Sequence, residues 1–489
     1  MKKLNILFVA SEVVPFAKTG GLADVAGALP KALKKLGHNI IVVMPRYYKI
    51  DKSKLTHQEG ALGVPMGVMG ELWAGVYSSK LPKSDVPIYF IDYEDFYGRV
   101  GLYDEDGKAY EDNANRFAFL SKAAFMLCKK LDFNPDIIHA NDWHTAVMPA
   151  LAQSRFVHDF ANAATVLTIH NLQHQGEFFK GVIDVLEIGW ERFNPMEFES
   201  YNSFNSLKGG IATADAVTTV SKKYAQEIQT EEFGFGLQEH IRAHSAKLFG
   251  ILNGVDYDEW NPSTDRYIVK NYDLDDMSGK KECKRALQKD FGLKVDDKIP
   301  LIGFVGRFAE QKGINLIAQI IHGLKDLDLQ IVILGSGEKW AEYFFSDQAK
   351  KHKHNFGTYI GYSEALAHQI EAGSDIFLMP SLFEPCGLNQ IYSLAYGTLP
   401  IVRATGGLDD TIENFDKKSS TCNGFKFYDA TPDALYNTIK WAIDIYKNHK
   451  KDFEKMQKRA MKMRFDWIKS AKEYEEVYKY ALKKKGRNV

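Results

Sequence analysis

The sequence predicts an α/β protein made of two doubly wound, Rossmann-like domains facing each other across a deep cleft. Three observations predict it. Short β-rich apolar runs alternate with helical patterns, the order that parallel sheets require. The runs fall into two series with a polar stretch between them. The length, 489 residues, exceeds what one hydrophobic core usually organises.

The first series opens with residues 4–10 as a buried strand, followed by a loop carrying Lys18-Thr19-Gly20-Gly21. Leu22, Val25, Ala26, Leu29, Leu33 and Leu36 then recur at helical spacing, and Gly37 closes that helix. Buried strands follow at residues 40–44, 136–140, 164–169 and 216–220. The second series runs through residues 300–305, 329–334, 355–360, 375–379 and 399–402. The stretch 253–278, rich in Asp, Asn and Tyr, is the expected linker. Thr431-Pro432 marks an N-cap with proline at the first helical position, opening the helical end of the chain. The expected division is 1–255, 256–465, and a C-terminal helix at 466–489 that crosses back to the first domain.

Composition excludes several classes of function. With 62 basic and 63 acidic residues the net charge is −1, so nothing draws the whole chain to nucleic acid or an anionic membrane. Cys128, Cys283, Cys386 and Cys422 form no CxxC or Cys/His cluster, which points away from disulfides and zinc and toward a reducing, cytoplasmic setting. The opening apolar run contains Asn5 and stops at Glu12, so it reads as a strand rather than a secretory signal, and no stretch is long enough to span a bilayer.

Carboxyl ends of strands in doubly wound sheets bind ligands, so motifs placed there carry the functional reading. Lys18-Thr19-Gly20-Gly21 joins a lysine, bare glycine backbone and a helix start, which suits a phosphate but equally a tight turn. His139-Ala140-Asn141-Asp142-Trp143-His144 and Thr168-Ile169-His170-Asn171 bring polar groups to two strand ends. His170 and His174 stand four apart without a helix or an HExxH carboxylate, so no metal site is expected. Arg307 and Lys312 follow a strand of the second series; the pair matches a diphosphate or an ordinary surface pair. Beyond residue 379, Glu384-Pro385-Cys386-Gly387-Leu388-Asn389 locks a carboxylate beside a proline and a glycine before a helix, and a buried charge there implies use. Residues 403–408 repeat the glycine-rich turn more weakly. Trp73, Tyr77, Tyr97 and Tyr103 fit either sugar-stacking platforms or core.

Taken in order, KTGGLADV, HANDWH, TIHNLQHQG, LNGVD, GRFAEQKG, GYSEALAH, FEPCGLNQ and VRATGGLDDT resemble the bacterial glycogen and plant starch synthase family, from Lys3 to about Tyr478. The resemblance implies a retaining GT-B glycosyltransferase. It would transfer glucose from ADP-glucose to the non-reducing end of an α-1,4-glucan with neither cofactor nor metal. It further implies that Lys18, Gly20 and Gly21 approach the donor phosphates, and that Arg307 and Lys312 clamp the diphosphate. Tyr362 would stack near the adenine and Leu388 and Asn389 would offer backbone amides to phosphate. Glu384, Cys386 and Gly387 would hold the glucose hydroxyls, with His170 and Asp142 completing the sugar site; Glu384, Asp142, His170, Arg307 and Lys312 form the catalytic set. Gln173-His174 and the segment FGFGLQEHIRAHSAK depart from the family pattern, on the acceptor side.

Rival readings are a UDP-glucose-dependent or other retaining GT-B glucosyltransferase, and a non-catalytic nucleotide-sugar or glucan-binding protein. No motif suggests the pyridoxal phosphate lysine of a phosphorylase, and Gly335-Ser336-Gly337-Glu338 lacks the third glycine of a dehydrogenase fingerprint.

Overall fold

The computed structural model describes residues 3–487. Its chain divides into two compact units, one running to Gly254 and resuming at Trp467, the other Val255–Asp466. These crossing points lie one residue from those expected.

In the first unit, β1 (Asn5–Val9) sits mid-sheet, parallel to β2 (Asn39–Pro45) on one side and to Ile137–Asn141 on the other. The helix α1 (Gly21–Lys35) connects β1 to β2. Beyond Ile137–Asn141 come Ala164–Ile169, Ala216–Thr219 and Leu248–Gly250, all parallel. β1 and β2 are apolar without alternation because both faces are covered, which is why they are legible as runs. The other flank was not expected. β5 (Pro87–Asp92) pairs parallel with β2, and β4 (Glu71–Lys80) and β3 (Thr56–Pro65) extend the sheet antiparallel to nine strands. β3 is mostly exposed, so it lacks the apolar signal of a buried strand.

The C-terminal helix Trp467–Lys484 belongs to this unit. It buries Ala471, Tyr474, Tyr478 and Leu482, residues three or four apart on one face. Glu475 reaches His38 at 2.9 Å, and the Tyr478 hydroxyl is 2.8 Å from His139.

The second unit holds six parallel strands in the order Phe356–Ile360, Gln330–Gly335, Leu301–Val305, Ile376–Met379, Leu399–Arg403, Phe425–Phe427. In sequence rank that is 3-2-1-4-5-6, the doubly wound order. Thr431 caps Pro432–Asn448 by accepting from the Ala434 amide at 3.2 Å.

The expected linker is a correction. From Val255 onward that stretch is folded into the second unit. Trp260 is sandwiched between His368 and Tyr392, each with ring centroids 3.8 Å away and nearly parallel. Asp265 accepts from the Tyr396 hydroxyl at 2.5 Å and bonds the His368 ring at 2.8 Å, and the Tyr272 hydroxyl donates to the Tyr396 carbonyl at 2.8 Å. A few aromatic anchors order a segment whose composition reads as polar loop. Among the described residues no helix is long and apolar enough to cross a membrane. None of the four cysteines is in a disulfide.

Candidate active site

In the first unit the strand order reverses between β1 and Ile137–Asn141, and the crevice beyond their carboxyl ends is where such sheets bind ligands. Residues 10–20 leave one end and Asp142 the other. The Asn141 side chain donates to the Val9 carbonyl at 3.0 Å, tying the two ends together. Asp142 adopts φ +52°, which Asp tolerates better than most residues, and is nearly buried at 9% exposure. Its Oδ1 accepts from the His170 amide at 2.7 Å. Burial pushes its pKa up to about 7, against the hydrogen bonds from the His170 and Asn171 amides and with help from the Glu12 charge. The His170 ring is 3.0 Å from Asn141 Oδ1, and burial brings its pKa down to about 3, so it is neutral. Asp142 and His170 therefore form one buried pair at adjacent strand ends.

Lys18 is half exposed and paired with Asp24 in the first turn of α1 at 2.7 Å. No atom lies within 4 Å of where a Cβ on Gly20 or Gly21 would stand, so ligand can approach there. The loop backbone is less bare than expected. The Glu12 carboxylate accepts from the Thr19 amide and from the Gly20 amide, the latter at 3.2 Å.

In the second unit the order reverses between Leu301–Val305 and Ile376–Met379. The first strand leads to Arg307 and Lys312, the second to Glu384. Glu384 is 6% exposed, and its Oε2 accepts from Lys312 Nζ at 2.6 Å and from the Ser381 hydroxyl at 3.1 Å. An ammonium has three donors, so the bridge holds Lys312 at the crevice without exhausting it. Arg307 is exposed, with Nη2 3.5 Å from Gln311 Oε1. Gln311 accepts from the Leu382 amide through its carbonyl at 2.8 Å, and its side chain donates to the Phe383 carbonyl at 3.3 Å, stapling the two loops. Asn389 anchors Asn389–Ala395 to the Val305 carbonyl at 2.9 Å. Cys386 is buried, Gly387 has φ +70° and lies beside the Glu384 side chain, and both Gly387 and Leu388 are half-buried. Tyr362 follows the outer strand Phe356–Ile360 and is 78% exposed.

The comparisons with known proteins agree over the whole length. The family described as the starch synthase catalytic domain matches residues 5–243, and glycosyl transferases group 1 matches residues 287–463. Glycogen synthase 1 of Geobacter sulfurreducens is 53% identical over 99% of this chain and 98% of its own. Glycogen synthase of Treponema denticola is 44% identical over 99% of each. The chain belongs to the glycogen and starch synthase family. The solved catalytic domain of starch synthase IV from Arabidopsis thaliana, bound to ADP and acarbose, matches with a TM-score of 0.89 at 32% identity, covering 98% of this chain and all of that one. Sucrose-phosphate synthase from Thermosynechococcus elongatus shares the fold, with a TM-score of 0.58 at 16% identity. The fold is GT-B and the chain is a glycosyltransferase.

Within that family frame, the remaining residues singled out by the sequence sort into core and surface. His139 and His144 are both buried. His139 is fully buried between Tyr478 and Thr168 Oγ1, at 2.8 and 2.7 Å, and burial brings its pKa down to about 3. His144 stacks on Trp143 with centroids 3.9 Å apart. Of the aromatics that fit either role, Tyr97 is buried and Tyr103 half-buried, both packed on the core, Tyr97 donating to the Arg116 carbonyl at 2.6 Å and Tyr103 to Glu12 at 2.6 Å. Trp73 is exposed on β4, and Tyr77 is half-buried beside it. Gly406 and Gly407 are packing glycines: a Cβ on either would strike the Glu384 or Cys386 carbonyl, so they let the two loops close on each other. His174 is exposed, and no three His, Cys, Asp or Glu among the described residues form a metal-sized cluster. Sequence reasoning missed Glu12, although a carboxylate ending an apolar run is the same signal that singled out Glu384.

Proposed function

We propose that this chain transfers glucose from ADP-glucose to the 4-hydroxyl at the non-reducing end of an α-1,4-glucan, with retention of configuration. The observation that carries this reading is the Lys312–Glu384 bridge of 2.6 Å at the switch point of the second unit, with Arg307 on the same strand end. It sets cations for a leaving diphosphate beside a carboxylate suited to sugar hydroxyls. The glycogen synthase names of the relatives, and the ADP and acarbose bound to the Arabidopsis domain, favour the same donor and acceptor.

In this reading the C1–O bond breaks and its electron pair leaves with ADP, whose charge is taken up by Arg307, Lys312 and Lys18. The glucan O4 attacks from the face that ADP vacates, and its proton passes to the departing diphosphate oxygen. Glu384, Asp142 and the neutral His170 orient the glucose, and Tyr362, open to solvent, suits stacking on adenine. Because three side-chain cations supply the charge, the reaction is proposed to need no metal or cofactor. Four cysteines outside disulfides suit a cytoplasmic setting.

The test is nucleotide release by the purified chain with glycogen, comparing ADP-glucose with UDP-glucose at equal concentration, with and without EDTA. Glycogen-dependent ADP release that EDTA leaves intact is the expected result. Preference for UDP-glucose overturns the donor, and loss of activity in EDTA overturns metal independence.

A further inference from the structure

Glu12 is 3% exposed and lies three residues past the end of β1. Four donors converge on its two oxygens. Oε2 accepts from the amides of Thr19 and Gly20; Oε1 accepts from the Thr19 hydroxyl at 2.5 Å and from the Tyr103 phenol at 2.6 Å. Four acceptor positions on two oxygens are what an ionised carboxylate offers and a neutral amide does not. Tyr103 receives in turn from the Ser11 hydroxyl, 2.8 Å away. Burial first, and the neighbouring Glu12 charge second, hold that phenol in its protonated, donating form. The loop 18–21 is thus fastened on its inner side to one buried side chain, while the space outside Gly20 and Gly21 is open.

We propose that Glu12 is a positioning residue for the donor. It fixes the loop so that the Lys18 ammonium and the start of α1 are preset for the donor phosphates, without touching the substrate itself. This rests on the donor reading given above. It also redistributes the work of the loop: the Thr19 and Gly20 amides are already spent on Glu12, so binding falls to Lys18 and to the open edge at Gly21. A loop held by charge-assisted hydrogen bonds is preorganised, and ligand binding then bears less of the ordering cost.

The experiment compares Glu12→Gln, Thr19→Val and Lys18→Ala with the parent chain by ADP calorimetry and by steady-state kinetics in both substrates. Glu12→Gln presents an N–H₂ group where an oxygen accepted. It is expected to raise the KM for ADP-glucose and the Kd for ADP by about tenfold, with the KM for glycogen unchanged. Thr19→Val, which removes one donor, is expected to shift the same constants in the same direction by roughly threefold. A Glu12→Gln chain that melts earlier but keeps the parent donor constants overturns the proposal, because a purely structural residue would act so. Should that variant not fold, hydrogen–deuterium exchange of the parent decides: protected Thr19 and Gly20 amides are expected, and exchange at the open-chain rate overturns it. If Lys18→Ala leaves ADP affinity unchanged, the donor reading of the loop itself falls. If Lys18→Ala weakens ADP while Glu12→Gln does not, only the positioning role falls.

Discussion

Replacing Asp142 by asparagine should stabilise the protein in alkali while disabling it. The Asp142 pKa is raised from 3.8 to about 7, principally by burial. Below the unfolded value the carboxyl is protonated in both states and its burial is free of charge cost. Between the two values the unfolded chain has released the proton and the folded chain keeps it, so stability falls by about 1.4 kcal/mol per pH unit. Above the folded value the loss is complete, and a rise of about 3 units corresponds to about 4 kcal/mol. Asparagine avoids this cost. It tolerates the φ of +52° at this position and its Oδ1 can still accept the His170 amide. The Asp142→Asn chain should therefore exceed the parent by about 1.5 kcal/mol at pH 5 and about 4 kcal/mol at pH 8. Urea unfolding read from hydrogen exchange in first-unit peptides measures both. Above pH 7, where the parent carboxyl is ionised, turnover should fall because the proposed sugar contact loses its charge. An equal stability difference at the two pH values would refute the linkage argument, and parental turnover would refute the functional one.

Four further expectations follow from the contacts. Glu384→Gln removes the carboxylate bridged to Lys312 and should cut turnover by roughly 10²-fold while leaving ADP affinity within a few-fold; near-parental turnover would remove Glu384 from the mechanism. Gly406→Ala drives a methyl into the Glu384 carbonyl at φ +46° and should cost about 2 kcal/mol or more in thermal melts. Gly20→Ala, which meets no atom, should leave the melting temperature unchanged yet weaken ADP, and the reverse pattern in calorimetry would contradict the assignment of packing to one glycine pair and ligand approach to the other. Trp260→Ala empties the slot between His368 and Tyr392 and should destabilise the second unit by about 3 kcal/mol; an unchanged urea midpoint would mean that the segment acts as a linker after all.

What could be read from the sequence, and what could not, divides along a physical line. The central strands were legible because both faces are covered, so their residues are apolar without alternation. Their ends were legible for the same reason: the polar residues that follow such a run, Asn141 and Asp142 or Arg307, stand where the sheet stops. β3 and β4 lie at the far flank with exposed faces, and the run of apolar residues that would mark them is missing. The stretch after Val255 is held by Trp260 and Tyr272 against residues more than a hundred positions away, contacts that composition does not register. The histidines show the limit most clearly. His139 sits within Ile137–Asn141, and its partner Tyr478 lies on the last helix, 339 residues away. That helix supplies one of its two hydrogen-bond partners, and Thr168 the other. His170, one step past its own strand, pairs with Asp142 at a neighbouring strand end. Both look alike as polar residues near a strand's carboxyl end; what separates them is which side of the sheet end the chain later covers. Glu12 belongs to the same class as Glu384, a carboxylate at the exit of a buried strand. The two are distinguished by their donors: a lysine and a serine hold Glu384 at the crevice, whereas two loop amides and two hydroxyls turn Glu12 inward, toward the scaffold of the loop that carries Lys18.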